Sequence, residues 1–229
     1  MPLTNHQVRL AARPSGLPRS TDWSLTAEEV PEPAEGQFVV AVSHLSVDPA
    51  MRGWMNAGAS YVPPVEIGAV MRAGAVGRVT ASAHPGFAAG DDVYGTFGVQ
   101  EYAVSDGRGV TKIDTSLAGP STYLGALGAT GLTAYFGLLD TGRLKAGDTV
   151  VVSGAAGAVG SMAGQIAKIK SAGRVIGIAG GPEKCRALTE EFGFDAAIDY
   201  RAGHVRPGWS SAGRSRSTTR PSCAVRRTT

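Results

Sequence analysis

The chain has little to cross-link it and nothing obvious to anchor it. Only two of its 229 residues are cysteines, Cys185 and Cys223, and their spacing suits neither a disulfide framework nor a metal site. The first residues, Met1 to Gln7, lack an apolar signal core, and no run of 18 apolar residues occurs anywhere. These absences predict a cytoplasmic protein without a membrane segment. Acidic residues are missing from one region alone: none of the 19 lies beyond Tyr200, where seven of the 22 basic residues are found. Residues 1–200 therefore carry a net charge of −4, although the whole chain has +3. A basic chain suggests nucleic acid when its charge lies on a folded face. Here the charge lies in one terminal tract with little aromatic interleaving, so no nucleic-acid partner is expected.

What is present divides into two grammars. Up to about Leu124 there are short, β-branched runs punctuated by glycine and proline. The longest, Gln37 to Val47, reads as a buried strand that ends at Pro49, and further strands are expected at Gly68–Ser82, Asp92–Tyr94 and Val99–Val104. Such spacing with little helical pattern predicts a compact β-barrel or sandwich. From residue 125 strands alternate with helices. A helix is expected over Thr130–Leu139, strands at Val150–Ser153 and Arg174–Ala179, a helix from Pro182 to about Phe192, and a short strand near residues 194–200. That alternation predicts a parallel sheet. The expected division is 1–124, 125–200 and a basic tail, 201–229, with no apolar period. The tail reads either as disordered or as the product of a frameshift, since three strands make half of a doubly wound sheet.

The stretch with most chemical content is Val150-Val151-Val152-Ser153-Gly154-Ala155-Ala156-Gly157-Ala158-Val159-Gly160. A β-branched run stops at a glycine-spaced turn and an apolar helical pattern starts at once, as in a dinucleotide-binding unit. Gly154 supplies the tight turn, Gly157 leaves room for a pyrophosphate, and Gly160 lets the helix pack close. Ala155 and Ala156 are small enough to leave the phosphate position open. The competing reading is an ordinary glycine-rich turn, because the spacing is looser than the commoner G-x-G-x-x-G.

Cofactor choice is read from the end of the next strand. A carboxylate there would accept bonds from the ribose 2′-hydroxyl of NAD, but the residues are Ala179-Gly180-Gly181, with Lys184 close behind. A missing carboxylate with a nearby ammonium suits the 2′-phosphate of NADP(H), the alternative being that Lys184 is a solvated helix residue. His6, His44 and His84 are scattered among the β segments, so no zinc site is expected. For proton transfer the best candidate is Tyr61, in the stiff loop Ser60-Tyr61-Val62-Pro63-Pro64, where a packing role competes.

Four stretches together carry a family resemblance: Leu45-Ser46-Val47-Asp48-Pro49-Ala50-Met51-Arg52-Gly53, Tyr61-Val62-Pro63-Pro64-Val65-Glu66-Ile67-Gly68, Gly131-Leu132-Thr133-Ala134-Tyr135 and Gly154 to Gly160. The chain resembles the zinc-independent medium-chain dehydrogenases/reductases, in the branch of NADPH-dependent curcumin and prostaglandin reductases and plant alkenal double-bond reductases. The resemblance runs almost continuously over residues 1–200. It implies an α/β and β fold, with a GroES-like β-barrel domain followed by a Rossmann domain that is incomplete here. It also implies reduction of the C=C bond of α,β-unsaturated ketones or aldehydes, with quinone reduction as the alternative. Ala156, Gly157, Ala158 and Val159 match the pyrophosphate turn, Lys184 and Tyr200 match contacts on the 2′-phosphate side, and Tyr61 matches the tyrosine proposed as proton donor or substrate anchor. Ala50 stands where the family usually has tyrosine. Nothing after Arg201 matches, and the missing part would include the dimer-forming strand of the family homodimer. The non-enzymatic alternative is a truncated remnant or an interaction module. On this reading the polypeptide as written binds NADPH weakly or not at all and lacks useful turnover. Tight binding in an NADPH fluorescence titration, with steady enone reduction, would contradict it.

Overall fold

The computed structural model describes residues 3–58, 60 and 62–202. The chain divides into two compact units at Leu124/Gly125. Among the described residues no helix is long and apolar enough to cross a membrane.

The first unit is built on antiparallel strands. β1 (Thr4–Leu10) and β2 (Trp23–Glu29) form a hairpin. β3 (Phe38–Leu45), β4 (Ala75–Ser82), β5 (Asp92–Gly95), β6 (Tyr102–Ser105) and β7 (Thr111–Lys112) form a second sheet in the order β6-β3-β4-β5-β7. β3 is an interior strand, apolar enough to be covered on both faces: Phe38, Val39 and Val40 are all buried. Phe38 and Val40 pack with Ala75, Val79, Val93, Phe97 and Ala103 in one core. Gly77 is needed where β4 crosses β3, since a β-carbon there would lie 2.7 Å from a methyl of Val40.

The strand expected over Gly68–Ser82 is only half formed. Gly68 has φ +85°, and the backbone of residues 69–71 pairs with β1 instead: Leu10 N–H donates to Ala69 O and Met71 N–H to Val8 O. A similar exchange joins Val8 to Val99, which takes the start of the expected 99–104 strand out of β6. The segment after Pro49 does more than end a strand. Pro49 sits in the helical region (φ −55°, ψ −29°) and starts α1 (Ala50–Trp54), which buries Met51 and, just beyond its end, Met55, four residues on. Both methionines join Leu10, Val65, Met71 and Ala73 in a second core.

The second unit is a three-stranded parallel sheet of β8 (Thr149–Ser153), β9 (Arg174–Ala179) and β10 (Ala196–Asp199), ordered β10-β9-β8. α2 (Ala129–Phe136) runs into a π-helical turn, Gly137–Thr141, and packs against α3 (Ala158–Ile169), while α4 (Pro182–Glu190) links β9 to β10. The buried stripe of α3 is Gly160, Ala163, Gly164 and Ala167, a helical spacing of small residues. Small size is obligatory there: a β-carbon on Gly164 would run into the ring of Phe194. Val150, Val152, Val175, Ala179, Leu188 and Phe194 complete this core. Among the described residues β8 pairs only with β9, so it is the outer strand of the sheet.

One ion pair of the first unit carries a pH signature. Arg78 on β4 donates twice to Asp92 on β5, both at 2.9 Å, and the Thr115 hydroxyl donates at 2.8 Å. Arg78 holds the Asp92 carboxyl below the usual carboxylate range, against the opposing effect of burial and with the help of Thr115. A folded value depressed in this way stabilises above the unfolded aspartate value and is lost as pH falls through the folded one. Asp92→Asn is therefore expected to lower the urea midpoint of the first unit at neutral pH, and the gap to the parent should close below about pH 3.9.

Candidate dinucleotide site

The site grows from the junction of β8 and α3. After Ser153 the chain turns at Gly154, whose φ of +60° is the left-handed conformation that β-carbons disfavour. Gly157 N–H closes the turn onto Gly154 O at 2.9 Å, and Ala155 N–H is anchored to Ile178 O of β9 at 3.0 Å. Ala155 is fully buried against the strand, so its methyl belongs to the core. Its small size matters for packing, a correction to its reading as a residue that merely leaves the phosphate position open. Gly157 is the extended N-cap of α3, exposed and without a capping side chain. Ala158 is exposed, whereas Ala156 and Val159 are half-buried.

Gly160 sets how close the helix comes. A β-carbon on it would collide with the carbonyl oxygen of Gly154 and lie 2.8 Å from the Ala155 α-carbon. With hydrogen in that place, the first turn of α3 sits directly over the end of β8. The amides of Ala158, Val159 and Gly160 have no carbonyl one turn back within the helix. Added β-carbons at Gly154 or Gly157 meet nothing nearer than Gly154 O at 3.2 Å, so no side chain crowds either glycine. A diphosphate is the chemical group that such a cluster of amides at a helix start is suited to hold.

The second half lies at the ends of β9 and β10. Gly181, with φ +97°, caps α4, and Lys184 stands exposed in the first turn of that helix. No ion pair engages Lys184 among the described residues. Tyr200 lies over Gly180: a β-carbon on Gly180 would be 2.6 Å from the Tyr200 hydroxyl oxygen. The Arg201 guanidinium lies 5.9 Å from the centre of the Tyr200 ring. Gly180, Lys184 and Tyr200 are thus gathered at the carboxyl edge of the sheet, where the glycine turn also lies.

One residue of this edge, Asp199, escaped the sequence reading. Asp199 Oδ1 accepts from Gly181 N–H at 2.8 Å and from Arg201 N–H at 2.9 Å. Those two amides, that of Gly181 first, lower its pKa. The end of β9 has no carboxylate of its own, yet the parallel register sets Asp199 opposite Ala179. An acidic residue closing the strand after the cofactor-reading one was the available signal. Cys185, next along α4, has its thiol pushed up by burial and by the charge of Asp199, which makes it a poor nucleophile. Tyr61 lies outside the described residues, as do residues 203–229 of the basic tail. His6 is bonded to Glu101, His44 to Ser43, and His84 packs on Phe38 and Phe87. Among the described residues no group of three or more His, Cys, Asp or Glu is placed to hold a metal ion.

A parallel sheet with a glycine turn and an uncapped helix start at its carboxyl edge defines a nucleotide-binding oxidoreductase architecture, and comparison with known proteins agrees. Residues 6–113 match the family model described as the N-terminal domain of oxidoreductase. Putative NADP-dependent oxidoreductase YfmJ of Bacillus subtilis is 49% identical over 201 residues, 88% of this chain and 59% of that protein. The NADPH-dependent curcumin reductase of Escherichia coli is 47% identical over 198 residues, 86% of this chain and 57% of that protein. Prostaglandin reductase 1 of Rattus norvegicus is 39% identical over 189 residues, 81% of this chain and 55% of that protein. The crystal structure of CurA from Vibrio vulnificus superposes with a TM-score of 0.82 at 46% identity, covering 91% of this chain and 61% of CurA. On these likenesses the chain is similar to the curcumin and prostaglandin reductases among the medium-chain dehydrogenases/reductases, and its two units have the GroES-like fold followed by the Rossmann fold. It spans between half and two thirds of the length of these relatives.

The packing at Gly160 is directly testable. Gly160→Ala is expected to destabilise the second unit by about 1–3 kcal/mol, the usual range for an overpacked site, because the obstructing atoms are backbone. Urea unfolding followed by circular dichroism measures the change, and an unaltered midpoint would show that the helix can shift away without cost.

Proposed function

We propose that this chain is part of an NADPH-dependent oxidoreductase that reduces the C=C bond of α,β-unsaturated ketones or aldehydes. One observation carries the cofactor reading: amides at the start of α3 open beside a sheet edge that offers Lys184 and Tyr200, while its nearest carboxylate, Asp199, is engaged by two backbone amides. A diphosphate fits the first part and a 2′-phosphate the second, since β9 itself ends without a carboxylate for a ribose hydroxyl. Gly154, Ala156, Gly157, Ala158, Val159 and Gly160 would hold the pyrophosphate. Gly180, Lys184 and Tyr200 would hold the adenosine 2′-phosphate.

NADPH, when bound, supplies the hydride that reaches the β-carbon of the acceptor. The chain's own contribution to the second half of the reaction is a proton for the α-carbon or an anchor for the carbonyl, and Tyr61 is proposed for it, a phenol being able to bond to an oxygen and to give up its proton. No zinc is required by this chemistry. A cytoplasmic setting, with its pool of reduced nicotinamide, suits the proposal. The choice of an enone over a quinone rests on the relatives at 39–47% identity that are named curcumin and prostaglandin reductases. A quinone oxidoreductase from Pseudomonas syringae is similar at only 22% identity, with a TM-score of 0.72, and bears on the fold alone.

Calorimetric titration with adenosine 2′,5′-bisphosphate and with 5′-AMP tests the cofactor reading without depending on turnover. The bisphosphate is expected to bind about tenfold more tightly, the worth of one charge-assisted contact. Lys184→Ala is expected to remove most of that advantage and to leave 5′-AMP unaffected. Equal affinities in the parent chain would refute the NADP assignment. Comparing NADPH consumption with an enone and with a quinone decides the acceptor class.

A further inference from the structure

The turn that carries Lys184 and the turn that carries Tyr200 belong to different strands, and nothing in either requires them to stay in register. β9 ends at Ala179 and the chain passes through Gly180 and Gly181, two residues with no side chain to pack, before α4 begins. Gly181 is in a positive-φ conformation and α4 has no capping side chain at that residue. β10 ends at Asp199, and Tyr200 and Arg201 follow on the exposed surface. Left to backbone preferences, a Gly-Gly pair would sample many conformations, since glycine loses more freedom on ordering than any other residue.

One oxygen ties the two turns together. Asp199 Oδ1 accepts the amide of Gly181 on one side and that of Arg201 on the other, while Tyr200 N–H donates to Ala179 O at 3.1 Å. The result is a closed set of bonds between the end of β9 and the end of β10. It fixes the tilt of the first turn of α4, and therefore the base of Lys184. It also fixes the Tyr200 ring against Gly180, at a separation that leaves no room for a β-carbon. From this geometry we infer that Asp199 is the positioning residue for 2′-phosphate recognition, setting Lys184 and Tyr200 in register across the two strand ends.

The inference rests on the NADP reading above and adds a specificity determinant that contacts no ligand itself. A carboxylate beside a phosphate dianion repels it, so its presence at this edge needs a reason of its own. The two amide bonds are that reason, because both use one oxygen of the carboxylate, Oδ1, as their acceptor. Charge is dispensable for this role and an acceptor oxygen is not. Asparagine keeps the oxygen, whereas alanine removes it.

The experiment uses the full chain and three variants: Asp199→Asn, Asp199→Ala and Lys184→Ala. Each is titrated with adenosine 2′,5′-bisphosphate and with 5′-AMP, and the amide exchange of Gly181 and Arg201 is followed by NMR. Asp199→Ala is expected to weaken the bisphosphate by about tenfold and to spare 5′-AMP, with loss of protection at both amides. Asp199→Asn should keep the protection and bind the bisphosphate as well as the parent or better, since a repulsive charge has gone. If Asp199→Ala weakens both ligands alike, the residue is merely structural and the inference is overturned. If Asp199→Asn fails like Asp199→Ala, the charge matters and the inference is also overturned. A parent chain that ignores the 2′-phosphate overturns the NADP reading, and with it the recognition role. A parent that prefers the bisphosphate alongside an unchanged Asp199→Ala overturns the positioning role alone.

Discussion

The second unit depends on how closely the N-terminus of α3 approaches the carboxyl ends of β8 and β9. That approach is limited by backbone, because the atoms facing Gly160 are the Gly154 carbonyl oxygen and the Ala155 α-carbon. A β-carbon at Gly160 would push the helix outward and carry its unpaired amides away from the strand end. The same closeness continues along the helix through Ala163, Gly164 and Ala167, with Phe194 filling the space that larger side chains would have taken. Small residues on the helix and one large ring beneath it are two sides of a single packing solution. The phosphate-type donor cluster follows from the packing and needs no polar side chain of its own.

The carboxyl edge of the sheet works by a different principle. There the groups proposed to bear on ligand choice come from separate strand ends, and two backbone amides from those ends bond one carboxylate oxygen. A glycine pair at the end of β9 gives room for Tyr200 and removes the acidic residue that a ribose hydroxyl would seek. Two glycines in succession leave the backbone of that turn few restraints of its own, and Asp199 supplies one. Rigidity is imported from the neighbouring strand.

The first unit shows how burial on both faces overrides a reading by local pattern. β3 was recognisable because Phe38 to Val42 is apolar without interruption. The stretch from Gly68 to Ser82 looked like one strand, but its first part is held by β1 through Leu10 and Met71. Pairing partners from distant sequence decide where a β segment stops, and glycines such as Gly68 only permit the break. The short helix after Pro49 was equally hidden. Its cause is the burial of Met51 and Met55 against Leu10 and Met71, residues of other segments.

The sequence by itself was enough to determine most of the strands and helices of both units, the glycine turn and the acid-free end of β9. Each of these is carried by neighbouring residues or by fixed spacing, which a linear reading captures. Tertiary structure alone decided that the methyl of Ala155 serves the core, that Tyr200 covers Gly180, and that Asp199 ties Gly181 to Arg201. Those facts depend on the parallel register of β9 and β10, which sets residues 20 positions apart side by side. Val150 to Gly160 could therefore be read as a dinucleotide turn from its own residues, whereas the geometry proposed for the 2′-phosphate end exists only once three strand ends are brought to one edge.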